Sequence, residues 1–302
     1  MRISIIVISK DEEKLRDTLS ALEAHIDIED IKIDHEVDVT VVDASRGRLA
    51  HIEQSFPSVQ WIDFMPPPEI RVSIPHQRNW GIRATQGEII VFTDASCVPE
   101  EGWLLRLIAP IVAGSERMTC GPSWIGDNVF SPERGTPVPV YVDEAPTINL
   151  AFTRELFDEV GEFDETFDYG SDVDFTRRVV SSGNRIRYVA DAVVVHDWGS
   201  LRRQLKRSRQ YGAARIRLNL KHQDGVLAMA RKDPVPVLYA LFIVGLPLTF
   251  RIRSYILLLA IPLWRARKRP YPFRVVVCHL AEGIGGLLEI ADTALRAFAG
   301  SD

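Results

Sequence analysis

The feature that most constrains this chain is a series of short β-branched runs, two of which end at an aspartate. Residues 3–8 carry no charge, residues 37–42 are followed by Asp43, and residues 88–93 are followed by Asp94. Leucines at helical spacing over residues 11–24 predict a helix after the first run. Strands that alternate with helices predict an α/β, doubly wound sheet, and such sheets bind ligands outside the carboxyl ends of their strands. We therefore expect Asp43 and Asp94 at one edge of a sheet.

The charge of the chain divides it into two parts. Residues 1–200 carry a net charge of −17 and residues 201–302 a net charge of +12. This division predicts an α/β domain over residues 1–200 and a basic, apolar, helical C-terminal region over residues 201–302.

The C-terminal region combines clustered cations with apolar stretches. Residues 235–250 and 254–264 are uncharged, and each stretch is shorter than the roughly 20 residues that a spanning helix needs. We predict that residues 201–274 contact an anionic membrane surface through an in-plane or re-entrant helical hairpin. A buried helical pair packed on the sheet is the alternative. Arginines that alternate with long apolar runs argue against nucleic acid as a partner.

The cysteines and the N-terminus favour a cytoplasmic location. The three cysteines are widely spaced and odd in number, which fits a reducing compartment. The apolar run at the N-terminus has only six residues, which predicts a first strand and not a signal peptide. We expect a protein that is peripheral or monotopic on the inner face of the cell membrane.

Polar residues near the predicted strand ends suggest chemistry on a nucleotide. An aspartate at a strand end can take ribose hydroxyls or a nucleobase, and a second can hold a divalent cation that bridges a diphosphate. Oxygen ligands suit Mg²⁺ or Mn²⁺, and His196, at the end of a strand predicted over residues 185–195, could add a nitrogen. Asp172, at the start of a predicted helix, could remove a proton from an attacking hydroxyl. Asp43 and Asp94 suit turn or capping roles equally well, and Asp172 could cap its helix as well as act as a base.

Four segments in order resemble glycosyltransferase family 2, inverting nucleotide-sugar transferases with the glycosyltransferase A fold. They are SIIVISKDEEKLRDTLSAL at the N-terminus, VVDAS over residues 41–45, PHQRNWGIRATQGEIIVFTDASCVPEEGWL over residues 75–104, and the stretch over residues 147–199 that includes FDETFDYGSDVDF. The resemblance implies a Rossmann-like, doubly wound mixed sheet over residues 1–200, followed by a membrane-associating helical tail.

The resemblance also implies a function. It predicts transfer of a sugar from a UDP-, GDP- or dTDP-linked donor to a hydroxyl of a lipid-linked or polysaccharide acceptor, with inversion at the anomeric carbon. The implied site has Asp172 as general base, Asp43, Ser45, Arg78, Asn79, Asp94 and Ser96 at the donor, and Asp94 and His196 as ligands of the cation.

Two positions depart from the family pattern. The usual DxD motif is Asp94-Ala95-Ser96 here, and a neutral serine hydroxyl is a weaker ligand for Mg²⁺ or Mn²⁺ than a carboxylate. Ser171 replaces a common glutamate before Asp172. The Ser96 replacement leaves the metal requirement open and motivates an alternative, a degenerate nucleotide-sugar-binding protein without turnover.

Overall fold

The structure is a computed structural model that describes residues 1–26, 35–66, 69, 72–125, 140–197, 199–223, 225–267 and 271–299. The described residues form two compact units, one up to Asp197 and one after it. The first unit is α/β and the second is helical.

An eight-stranded mixed sheet forms the centre of the first unit. Its strands are β1 (Arg2–Ser9), β2 (Glu36–Asp43), β3 (Gln60–Asp63), β4 (Ile89–Asp94), β6 (Met118–Cys120), β8 (Tyr141–Val142), β9 (Asn149–Thr153) and β10 (Ile186–Tyr188), in the order β3-β2-β1-β4-β9-β6-β10-β8. The first four strands of that order are parallel, and β9 is antiparallel to both of its neighbours. The predicted large mixed α/β sheet is confirmed.

A second, three-stranded sheet has the order β5-β11-β7. It contains β5 (Cys97–Pro99), β7 (Ser123–Ile125) and β11 (Val194–His196). The single strand predicted over residues 185–195 is therefore wrong. A turn at residues 190–191 separates β10, which pairs with β6, from β11, which pairs with β5 and β7.

Helices cover both faces of the large sheet. They are α1 (Leu15–Ile26), α2 (Ala50–Glu53), α3 (Ile74–Ala84), α4 (Trp103–Val112), α5 (Arg154–Val160) and α6 (Ser171–Ser181). Alternate residues of β1 enter different cores, since Ile5 packs in the cluster that contains residues of α1 and α4, whereas Ile6 packs in the cluster that contains residues of α3, α5 and α6. Burial on both faces explains the nearly continuous apolar strands of the sequence.

The second unit is an assembly of helices. It contains α7 (Leu201–Lys221), α8 (Val226–Lys232), α9 (Pro234–Val244), two 3₁₀ helices (Leu246–Phe250 and Arg253–Leu259), α10 (Ala260–Arg265) and α11 (Pro272–Ala299). Close packing joins α7 to α11, where Gly212 and Gly285 let the two backbones approach. In the part of the chain that the structure covers, we find no helix with the length and apolar character needed to cross a membrane.

Candidate functional site

Two predicted aspartates lie at the carboxyl edge of the parallel strands. Ser9 is in register with Asp43, and Ile8 is in register with Asp94, so the two aspartates flank the end of β1. Asp63, the last residue of β3, is in register with Asp43 on its other side. The parallel order thus brings together carboxylates that are far apart in the sequence.

Asp43 is buried and held in a short hydrogen-bond chain. Ser45 Oγ donates to Asp43 Oδ1 at 2.6 Å, and the backbone N–H of Asp11 donates to Ser45 Oγ at 2.7 Å. Burial raises the pKa of Asp43, and the bond from Ser45 opposes that change. This hydrogen-bond chain therefore links the end of β2 to the residues that follow β1. The carboxylate within it has a raised pKa.

Helix α3 is fixed to the same edge by Gln77. Its buried amide nitrogen donates to the carbonyl oxygens of Ser9 and Val42, at 2.9 Å each. These carbonyls lie at the carboxyl ends of β1 and β2. Gln77 therefore sets the position of the next residue, Arg78, relative to the strand ends. Nothing local in the sequence marks Gln77, because both of its partners are more than thirty residues away.

Arg78 joins α3 to the start of α6. Its Nη1 donates to Ser171 Oγ at 2.9 Å, and its Nη2 lies 3.9 Å from Asp172 Oδ2. Arg78 and Ser171 are both buried, whereas the side chain of Asp172 keeps 19% of its surface exposed. Asp172 is thus a partly accessible carboxylate with a cation beside it.

A backbone contact places Asp172 at the edge that carries Asp94. The N–H of Thr147 donates to Asp172 Oδ2 at 3.4 Å. Thr147 lies two residues before β9, and Asn149 of β9 is in register with Thr93 of β4. Because β9 is antiparallel to β4, Thr147 lies beyond the carboxyl end of β4. Asp94 and Asp172 therefore belong to one region of the first unit.

Asn79 is held by hydrogen bonds to the loop before α6. It is completely buried, and its amide donates to the carbonyl of Phe163 at 2.9 Å and to Glu165 Oε1 at 3.0 Å. Its Oδ1 accepts from the N–H of Phe163 at 3.0 Å. Asn79 thus fastens the loop before α6 to α3, and its contact with a donor stays a prediction.

The small sheet brings His196 to the segment with the modified DxD motif. His196 is buried and in register with Cys97, and the N–H of Asp197 contacts the carbonyl of Ser96 at 3.4 Å. No set of three or more His, Cys, Asp or Glu side chains suited to a metal occurs among the residues described. A carboxylate, a hydroxyl and an imidazole fit a cation that takes its remaining ligands from phosphates, as Mg²⁺ commonly does. That Asp94 and His196 hold such a cation stays a prediction.

These features define a class of protein. A mixed α/β sheet with carboxylates at the carboxyl ends of its parallel strands is typical of proteins that bind nucleotides at that edge. The sequence model of the Glycosyl transferase family 2 matches residues 4–163, more than half of the chain. The chain belongs to glycosyltransferase family 2.

Individual relatives agree with this assignment. The chain is 28% identical over 164 residues to the pre-mycofactocin glycosyltransferase of Mycobacterium tuberculosis, a match that covers 49% of this chain and 35% of that protein. It is 27% identical over 157 residues to the glycosyltransferase AglE of Haloferax volcanii, covering 47% of this chain and 50% of that protein. The chain thus matches half or less of the length of these curated relatives.

Solved structures share the fold. The mannosyltransferase PcManGT of Pyrobaculum calidifontis, in complex with GDP-Man and Mn²⁺, superposes with a TM-score of 0.67 at 16% identity over 95% of this chain and 87% of that one. TarS of S. aureus (residues 1–349) in complex with UDP-GlcNAc gives a TM-score of 0.53 at 16% identity over 70% of this chain and 66% of that one.

Proposed function

We propose that the protein transfers a sugar from a nucleoside diphosphate donor to a hydroxyl of a lipid-linked or polysaccharide acceptor. The observation that carries the proposal is the convergence of Asp43, Asp94, Arg78 and Asp172 at one sheet edge in a chain of this family. The bound GDP-Man of PcManGT and UDP-GlcNAc of TarS support a sugar nucleotide as donor.

The residues at this edge suit an inverting in-line displacement. The acceptor hydroxyl oxygen attacks the anomeric carbon, the bond from that carbon to the diphosphate oxygen breaks, and the nucleoside diphosphate leaves. Asp172, in the first turn of α6, takes the proton from the attacking hydroxyl. Arg78 supplies a fixed cation near the negative charge of the diphosphate. A divalent cation at Asp94 would supply further charge neutralisation for the leaving group.

In this proposal, the second unit brings the protein to its acceptor. Helix α7 exposes Arg202, Arg203, Lys206 and Arg209, and the elements after it expose many apolar side chains. Cations beside exposed apolar surface favour an anionic membrane surface, at the inner face of the cell membrane, as the place where the acceptor is met.

The donor class is tested by thermal unfolding with UDP, GDP and dTDP, each with Mn²⁺, Mg²⁺ or EDTA. A nucleotide that binds only the folded protein raises its melting temperature. We expect one nucleotide to give the largest rise. If none of the three has an effect and none of their sugar conjugates is hydrolysed or transferred, the proposal is wrong.

Asp172→Asn separates an enzyme from a binding protein. The substitution removes the base but keeps the size of the side chain, so we expect turnover to fall about 10²- to 10⁴-fold while the nucleotide-induced rise in melting temperature is kept. Asp191→Asn, which changes an exposed carboxylate in the turn before β11, is the matched control and should keep full turnover.

The alternative of a degenerate binding protein follows from Ser96. It predicts nucleotide binding by the unmodified protein without any turnover, over a panel of sugar nucleotides and acceptors. Transfer that Asp172→Asn abolishes would exclude that alternative.

A further inference from the structure

A large cavity lies in the second unit, and its lining contains none of the residues assigned above to the transfer reaction. Its volume is about 710 Å³, and α9, the second 3₁₀ helix, α10 and α11 line it. That volume is within the range of roughly 300–1,000 Å³ that holds small-molecule ligands. The cavity opens to the surface, since the lining residues Leu241 and Ile261 are 63% and 57% exposed.

The wall of the cavity is apolar apart from a few groups. Tyr239 is nine-tenths buried and lines it, and the Tyr239 hydroxyl has no hydrogen-bond partner. A buried hydroxyl without a partner costs folding free energy, so such a group in a cavity indicates a missing acceptor atom. Burial also raises the pKa of Tyr239 to about 12, which keeps the hydroxyl a donor. The ligand therefore carries an acceptor oxygen that reaches an otherwise hydrocarbon-like space.

A positive charge lies in the lining of the cavity. Arg265 lines the cavity and is exposed. Arg267 stacks on the ring of Trp264 with 4.0 Å between its Cζ and the ring centroid. Residues 234–267 contain four arginines and no aspartate or glutamate. An exposed tryptophan with neighbouring cations and apolar side chains is typical of a surface that meets anionic lipid.

We infer that this cavity binds one acyl chain of an anionic glycerophospholipid, with the lipid phosphate at Arg265 and an ester carbonyl accepting from Tyr239. A glycerophospholipid has both a phosphate and a separate carbonyl oxygen next to its chains, which matches the separate Arg265 and Tyr239 groups. A prenyl phosphate has the charge and the chain but no carbonyl. The site would tie the second unit to one lipid molecule in addition to any contact with the bilayer surface.

The probe is dihexanoyl phosphatidylglycerol below its critical micelle concentration, titrated into the full-length protein by calorimetry. We expect one molecule bound. Tyr239→Phe should weaken the affinity about fivefold and, because it removes an unsatisfied hydroxyl, should raise the melting temperature of the lipid-free protein. Arg265→Gln should weaken the affinity about tenfold. Tyr211→Phe on α7 is a matched control outside the lining and should bind as the unmodified protein does.

Other outcomes overturn the inference. Equal affinity of the unmodified protein and both lining variants would place the lipid elsewhere. The dihexyl ether analogue and farnesyl phosphate both lack the ester carbonyl. Equal binding of the first, or tighter binding of the second, would show that the protein does not recognise that carbonyl. If the protein forms concentration-dependent dimers that the lipid does not dissociate, the cavity is instead covered by a second copy of the chain. The nucleotide-induced rise in melting temperature is measured on every variant, so failure of this site and failure of the proposed transfer are distinguishable.

Discussion

Ser96 and Ser171 change the electrostatics of the sheet edge in the same direction. Each serine stands where the family pattern has a carboxylate, so this edge carries less negative charge than that pattern implies. Ser171 also accepts a hydrogen bond from Arg78 without neutralising it. An arginine that keeps its charge near a diphosphate reduces the need for a metal ion. We therefore expect the nucleotide to raise the melting temperature to a substantial extent even in EDTA.

We expect nucleotide binding to depend on pH through Asp43. Burial raises the pKa of Asp43, and the N–H groups of a nucleobase need the ionised carboxylate as acceptor. Protonation as the pH falls removes that acceptor, so the nucleotide dissociation constant should rise as the pH is lowered from neutral through acidic values. Calorimetric titration of the nucleotide across this range checks the prediction.

Asp43→Asn is the control for this dependence. The amide does not titrate, so the variant should bind the nucleotide weakly at every pH. Its nucleotide dissociation constant should not change with pH. If the dissociation constant of the variant still rises as the pH falls, another titrating group causes the pH dependence.

At the scale of elements, the contact between α7 and α11 depends on glycines. A Cβ added at Gly285 would lie 1.8 Å from the carbonyl oxygen of Arg209, whereas a Cβ at Gly286 would lie 3.6 Å from the nearest atom, Cγ1 of Ile216. Gly285→Ala should therefore destabilise the protein by about 1–3 kcal/mol or more, because the helices must separate. Chemical denaturation followed by circular dichroism measures the change.

Gly286→Ala is the matched control in the same helix. Its methyl group meets ordinary van der Waals contact and alanine has the higher helix propensity, so a gain of up to about 1 kcal/mol is expected. Equal effects of the two substitutions would contradict the close approach of α7 and α11.

Glu282 on α11 makes the stability of the second unit depend on pH. Burial and the nearby Asp233 raise its pKa to about 7, against the opposing effect of Arg215. A carboxyl group whose folded pKa is raised stabilises the protein while it is protonated, and this contribution disappears as the pH rises through about 7. Ionisation should cost on the order of 3 kcal/mol. Melting temperatures measured from about pH 5.5 to about pH 8 should fall.

Glu282→Gln isolates this effect. Glutamine is neutral throughout, so the fall in melting temperature between these pH values should be smaller in the variant. A fall of the same size would show that Glu282 does not cause it.

At the scale of the whole molecule, charge is separated between the two units. The net charge of −17 on residues 1–200 and +12 on residues 201–302 predicts that anionic vesicles bind through α7 and the segments after it. Binding to phosphatidylglycerol vesicles should decrease from about 0.05 M to about 0.5 M NaCl, because salt screens exposed charges. Cosedimentation measures it, with phosphatidylcholine vesicles as the uncharged comparison.

Charge reversal tests the same point within the protein. Arg202→Glu should reduce binding to the anionic vesicles, whereas Arg16→Glu on α1, which changes the net charge by the same amount, should have a smaller effect. Equal losses would mean that net charge, and not its location, governs association.

The strands and their terminal aspartates were predictable because they depend on local patterns. Runs of β-branched residues indicate buried strands, and a parallel order then brings Asp43 and Asp94 to one edge. The break between β10 and β11 was not predictable in this way, because the turn at residues 190–191 contains no glycine or proline, and the two strands differ in the strands with which they pair.

The sequence by itself determined the α/β class, the division of charge and the aspartates at the strand ends, since each of these is written in neighbouring residues. The tertiary structure alone decided that Arg78 meets Ser171 and Asp172, that Asn79 is buried against Phe163, and that Tyr239 lines a cavity. The physical reason is the distance along the sequence over which each kind of interaction acts. Hydrophobic periodicity and turn residues act over a few positions, whereas these contacts join groups that the chain brings together only when its elements pack.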